Sequence, residues 1–156
     1  EVPLYKRFDL EHYERSCVSV VTETDMSGGR IRRITEKAVK PFLFGHAAVV
    51  AGNAGTLAIM RDLGFGTFEP LIDESYDQIS DPNERLCAVL CEVDRLRSLT
   101  DDEFHGMFGE LAVVRAANLR YGRTGLTHRL RADAIGAVTR HVLDRARVTL
   151  SPRTTR

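Results

Sequence analysis

The chain has 156 residues, 43% of them hydrophobic and 28% charged, which is enough for one compact domain with its own core. Lys plus Arg equals Asp plus Glu at 22 each, so no global positive excess draws the chain to nucleic acid or to an anionic membrane, and an anion site has to be local. Three scattered cysteines without a Cys-x-x-Cys pair fit reduced thiols in a cytoplasmic setting, and neither an apolar run of about 18 residues nor a signal-peptide layout offers a membrane span or a secretion address.

Residues 16–24, SCVSVVTET, are short and rich in β-branched side chains, the pattern of a buried strand. DMSGGR follows as a loop, and Thr35 is then placed to cap a helix running to about Phe44, with Pro41 bringing its far end into question and Gly45 stopping it. AAVVAG, residues 47–52, is a continuous apolar run of the kind that forms a buried parallel strand. NAGTLAIMRDLGF predicts a second helix with Asn53 or Thr56 as cap, Leu57, Met60 and Leu63 as its apolar stripe and Gly64 as its stop. Strand, helix, strand, helix is the order of an α/β sheet.

From Asp81 onward the pattern is helical. Asp81 caps, Pro82 takes the first helical position, and Leu86, Val89, Leu90, Val93 and Leu96 are spaced for one apolar face. Cys87 and Cys91 on the same helix read as small core residues rather than metal ligands. Two further helices are expected over about residues 101–120 and 127–148, divided at YGRTG by Gly122 and Gly125, before a frayed tail at 151–156. The expected organisation is an α/β part over 1–80 and a helical extension over 81–150.

The stretch RIRRITEK gathers Arg30, Arg32, Arg33 and Lys37 where a helix begins, and Lys40 follows one turn on. The first turn carries about half a positive charge, so a lysine there costs a few tenths of a kcal/mol unless an anion answers it. A phosphate docked on the helix start answers both the amides and the cations. The alternative is a solvated arginine loop paired with Glu23, Asp25 or Glu36. Glu36 beside the lysine is placed to accept from ribose hydroxyls, or simply to stabilise the helix dipole. GNAGT, residues 52–56, offers Asn53, Gly55 and Thr56 as amide or hydroxyl donors to a phosphate or sugar, or forms only a tight turn with a cap. DESYD, with Asp73, Glu74 and Asp77, reads as a polar turn or as a cation or sugar site. His46 reads as a satisfied buried histidine, and His105, His128 and His141 lack partners at ligand spacing. No serine-hydrolase elbow, Walker loop or dinucleotide fingerprint is present.

The combination of ITEK, LGFGTF and DESYD, within RRITEKAVKPFLFGHAAVVAGNAGTLAIMRDLGFGTF and DESYDQISDPNERLCAVLCEVDRL, resembles the C-terminal donor-binding domain of GT-B glycosyltransferases, especially fucosyltransferase-like proteins. The resemblance covers about residues 16–98. It implies a parallel Rossmann-like βαβα unit, half of such a domain, carrying a helical C-terminal extension. It also implies a nucleotide-sugar donor, a sugar or glycan acceptor, no metal and no further cofactor. Glu36 would hold the ribose and Lys37 the diphosphate, with Arg30, Arg32 or Arg33 in support; Thr35 and, from the residues of the neighbouring loop themselves, Asn53, Gly55 and Thr56 complete the expected nucleotide-sugar site. The catalytic base is expected on an upstream domain, since the chain opens on Glu1 rather than Met and reads as a fragment. The rival expectations are a non-catalytic interaction module that dimerises through its C-terminal helices and a nucleotide-sugar sensor without transfer.

Overall fold

The computed structural model describes residues 10–27, 34–69, 71–126 and 128–129. The described residues form an α/β unit around two parallel strands. A short helix α1 (Leu10–Glu14) leads into β1 (Val18–Thr22), then α2 (Glu36–Leu43), β2 (Ala47–Ala51) and α3 (Thr56–Asp62). A 3-10 turn (Glu74–Gln78) precedes α4 (Pro82–Ser98) and α5 (Asp101–Glu110), and residues 112–126 form a last helix, α6.

β1 and β2 pair in register from Val18↔Ala47 to Thr22↔Ala51. All five residues of β2 are buried, which explains why its sequence is apolar throughout instead of alternating. On β1 the side chains alternate between two layers. Ser19 and Val21 share a groove with Lys37, Lys40 and Pro41 of α2, while Val18 and Val20 line a second one with Val93 and Leu96 of α4 and Phe104 of α5. Phe42, Leu57, Met60, Phe68, Leu71, Ile72 and Val89 complete one continuous core with β2.

Several expected boundaries hold. Thr35 caps α2, whose C-cap is Phe44, and Pro41 is accommodated inside the last turn with its ring buried. Asp81 accepts from the Asn83 and Glu84 amides at 2.9 Å each, with Pro82 in the first turn of α4.

Three expectations are corrected. The inward face of α4 is Arg85, Val89 and Glu92, while Leu86 and Leu90 are 40% and 55% exposed and Cys87 and Cys91 are exposed thiols. The helix is turned this way because Arg85 and Glu92 have buried partners that no leucine can satisfy. Arg85 is 1% exposed and donates to the carbonyls of Gly52 at 2.9 Å, Ile79 at 2.6 Å, Ser80 at 3.1 Å and Met26. Glu92 accepts from the Asp73 amide at 3.0 Å and from Arg95 at 2.6 and 2.7 Å.

The second correction concerns the C-terminal helices. The break falls at Leu111, and helix continues through Gly122 and Gly125. Gly122 is a close-approach residue, since a Cβ there would stand 2.5 Å from Leu43 Cδ2. α6 is tied down by Asn118, which exchanges two 2.9 Å hydrogen bonds with the Gly66 backbone, and by Arg115 Nε donating to the Gly45 carbonyl at 2.7 Å. The helix expected over 127–148, His141 and the tail at 151–156 lie almost wholly outside the described residues. Third, α3 is capped neither by Asn53 nor by Thr56, as the site geometry below explains. No described helix is long and apolar enough to cross a membrane.

Arg85→Met is expected to lower the unfolding free energy by about 3 kcal/mol or more, because it strips carbonyls in three segments of their donor. Leu90→Ser on the outer face of α4 is expected to change it by less than about 0.5 kcal/mol. Urea titrations of both variants check the orientation of α4.

Candidate functional site

Because the strands are parallel, the segments after Thr22 and Ala51 leave the sheet at the same edge. This is the edge at which open α/β sheets bind ligands. The two exits are joined directly. The Glu23 amide donates to the Ala51 carbonyl at 2.8 Å, and Asn53 Nδ2 donates to the Ser27 carbonyl at 2.6 Å. Arg85 clasps both, through Met26 on one side and Gly52 on the other.

The helix starts at this edge are answered by carboxylates of the chain itself. Glu23 is buried, and its two oxygens accept from the Thr35 amide at 2.9 Å and the Thr35 hydroxyl at 2.8 Å. The same hydroxyl oxygen accepts from the Lys37 amide at 3.3 Å, so a hydrogen-bond chain polarised by the Glu23 carboxylate, just past β1, reaches the first turn of α2. At α3 the cap position is Gly55, held at φ 79 where a side chain would be strained, and no side chain of its own segment caps the helix. Asp77 does so from the 3-10 turn, its oxygens accepting from the Leu57 amide at 3.1 Å and the Ala58 amide at 3.3 Å. Its backbone carbonyl takes the Gly55 amide at 2.8 Å.

The candidate residues therefore divide into two groups. Thr35, Asn53, Gly55 and Thr56 all direct polar atoms into the fold, Thr56 Oγ1 donating to the Asn53 carbonyl at 2.7 Å. Glu36 and Lys37 are exposed, and among the described residues their side chains have neither a hydrogen bond nor an ion pair. Arg30, Arg32 and Arg33 lie outside the described residues, as do Gly28 and Gly29.

DESYD is an internal brace. Tyr76 accepts from the Val50 amide at 3.0 Å on the edge of β2 turned away from β1. Burial pushes its hydroxyl well above the ordinary tyrosine range. Glu74 takes the Phe68 amide at 2.7 Å and pairs with Arg61. Loss of water raises the Glu74 carboxyl above its ordinary value, more than the Phe68 amide, Thr67 and Arg61 lower it. Asp73 accepts from the Ser75 amide at 3.0 Å, and hydrogen bonds from Ser75 hold its carboxyl below the usual range. Among the described residues no three His, Cys, Asp or Glu side chains are grouped to hold a metal ion.

Lys37 and Lys40 face a groove of about 490 Å³ between α1, α2 and β1, together with His12, Tyr13, Ser16, Ser19, Pro41 and residues 20–22. Behind it His46, 3% exposed, lies with Nδ1 3.1 Å from Ser19 Oγ and Nε2 2.7 Å from the Tyr13 carbonyl. Sequence reasoning found the lysine, read His46 as satisfied and singled out Asp77 within DESYD, but missed Arg85, the capping of α3 by Asp77 and the serine partner of His46. An arginine four residues after a cap looks like any surface charge, and its carbonyl partners come from segments up to 59 residues away.

Compared with protein-family models, with curated proteins and with solved structures, the chain matches none. The functional reading therefore rests on the geometry of this edge and on the residues that stand there.

Asp77→Ala is expected to destabilise the chain by about 1–3 kcal/mol, since it leaves the Leu57 and Ala58 amides without their acceptor. Glu23→Gln is expected to lose about 1 kcal/mol, because an amide replaces one of two accepting oxygens with a donor. Glu36→Gln, whose side chain has no partner among the described residues, is expected to leave the urea midpoint nearly unchanged, and chemical denaturation of the three variants checks the division.

Proposed function

We propose that this chain is the donor-binding part of a glycosyltransferase, a partial Rossmann-like unit that holds a nucleotide-activated sugar at the carboxyl edge of its parallel strands. The observation that carries the reading is the pair Glu36–Lys37. It stands in the first turn of α2, at the edge where α/β sheets take ligands, and among the described residues its side chains have no hydrogen-bond or ion-pair partner, while Thr35, Asn53, Gly55 and Thr56 beside it are bonded into the fold. The resemblance of ITEK, LGFGTF and DESYD to donor-binding domains supports the same assignment.

In this reading Glu36 accepts from the ribose hydroxyls and the Lys37 ammonium lies on the diphosphate. Arg30, Arg32 and Arg33 of the preceding segment add positive charge near the same anion. The acceptor's hydroxyl oxygen forms the new bond to the anomeric carbon as the bond from that carbon to the diphosphate oxygen breaks. The electron pair leaves with the diphosphate, and Lys37 neutralises the charge that develops there. The amides of α3 take no part, because Asp77 already occupies them. The proton of the acceptor is left to a base on another part of the enzyme.

A thermal-shift and calorimetric screen with GDP, UDP, CDP and CMP tests the reading. One nucleotide is expected to stabilise the chain, by about 2.7 kcal/mol at 100 times its dissociation constant. Lys37→Ala and Glu36→Ala are each expected to weaken it about tenfold, near 1.4 kcal/mol, at an unchanged melting temperature of the unliganded protein. Silence across the panel, or unaltered affinity in both variants, overturns the reading.

A further inference from the structure

The two outer edges of the sheet are finished differently. The Cys17 carbonyl takes the Ala47 amide at 3.2 Å and the Glu23 amide reaches the Ala51 carbonyl at 2.8 Å, so the odd-numbered residues of β1 turn their backbone groups toward β2. On the outer edge of β2, Tyr76 takes the Val50 amide at 3.0 Å. The outer edge of β1 carries the N–H and C=O of Val18, Val20 and Thr22, and among the described residues these groups have no hydrogen-bond partner. Sheet edges open to water are ordinarily blunted by charge, proline or a bulge. β1 reads VSVVT with an unbroken register, has none of these, and leaves Val20 56% exposed.

Room for a neighbouring strand lies on both faces of that edge. On one, a groove of about 440 Å³ runs from Val18 and Val20 to Val93 and Leu96 of α4 and Phe104 of α5. On the other lies the groove between α1, α2 and β1, and Ser16 and Val20 border both. Successive side chains of a strand point to opposite faces, so a strand laid along β1 sends one row into each groove.

We propose that this edge pairs with β1 of a second copy of the chain, antiparallel about a two-fold axis normal to the sheet at Val20. The hydrogen-bonded pairs then join residues whose backbone groups face outward in both copies, Val20 with its own counterpart and Val18 with Thr22. The side chains brought together are uncharged and β-branched, the kind of cross-strand pair that stabilises a sheet. Charge favours the antiparallel sense. Arg15 and Arg97 border the groove at the amino end of β1, their pairs with Glu11 and Asp94 standing in solvent where ion pairs are worth little, and the carboxyl end leads into Glu23 and Asp25. Reversing the second copy sets the basic end of one strand against the acidic end of the other. One strand and the groove walls beside it make a small interface, below about 1,200 Å², so the dimer is reversible. The inference goes beyond donor binding and stands without it, because it uses neither Glu36 nor the Lys37 charge.

Sedimentation of the chain over about 1–500 μM is expected to show a monomer–dimer equilibrium with a micromolar dissociation constant. Val20→Lys sets two ammonium groups opposite each other at the axis and is expected to weaken the dimer at least about tenfold, with the urea midpoint of the dilute monomer nearly unchanged. With the three exposed cysteines replaced by serine, Val20→Cys is expected to form a disulfide-linked dimer under mild oxidation at least about tenfold faster than Leu90→Cys, whose position is 55% exposed on the outer face of α4. A chain that stays monomeric throughout leaves the edge to some other occupant and overturns the proposal. So does a dimer that Val20→Lys leaves unaltered, or one that cross-links as fast through Leu90→Cys. The cysteine pair decides the matter should Val20→Lys not fold.

Discussion

The fold depends on one buried cation. Arg85 reaches from the first turns of α4 into the carboxyl edge of the sheet and gathers carbonyls from the segment after β1, the segment after β2 and the segment before α4 itself. A guanidinium taken out of water is costly unless its donors are satisfied, and here they are satisfied by backbone carbonyls. The consequence is mutual. The arginine is held only if the three segments converge, and the segments converge with their carbonyls inward only because the arginine is there. The orientation of α4 follows, with Leu86 and Leu90 turned outward and Val89 turned into the core.

Around that clasp the chain supplies its own anions. Glu23 answers α2 through Thr35, Asp77 answers α3 across the turn, and Glu92 holds the Asp73 amide and Arg95. A helix start is attractive to phosphate because its amides are unpaired. At α3 the Asp77 carboxylate occupies two of them, and at α2 the Thr35 hydroxyl, held by Glu23, takes the Lys37 amide, so the proposed site rests on the side-chain charge at the outer surface. That is why Glu36 and Lys37 carry the proposed donor site and why the glycine-bearing turn at 52–56 does not. The positive charge at the start of α2 is also less anomalous than it looks in isolation, because Glu23 stands beneath it.

The groove beside Lys37 shows the same economy in a different form. Hydrogen bonds that satisfy the fold, Ser16 to a helix carbonyl and Ser19 to His46, also determine which atoms face outward as acceptors.

Local sequence determined a good part of this. The β-branched run at 16–24, the apolar run at 47–52, the Thr35 and Asp81 caps and Pro82 at the start of α4 each depend on neighbours within a few residues, and each is found where expected, although β1, expected as a buried strand, buries only Val21 and leaves Val20 56% exposed. The cationic first turn with Glu36 and Lys37 was legible for the same reason. What only the tertiary structure decided involves partners far along the chain. Asp77 caps α3 from about 20 residues away, Arg85 meets Met26 across 59, and Gly122, which reads as a helix breaker, is instead the place where α6 touches Leu43. Periodicity reports how much apolar surface a helix has. Which face turns inward was decided by whether buried charges found their hydrogen bonds, and that is settled only when distant segments meet.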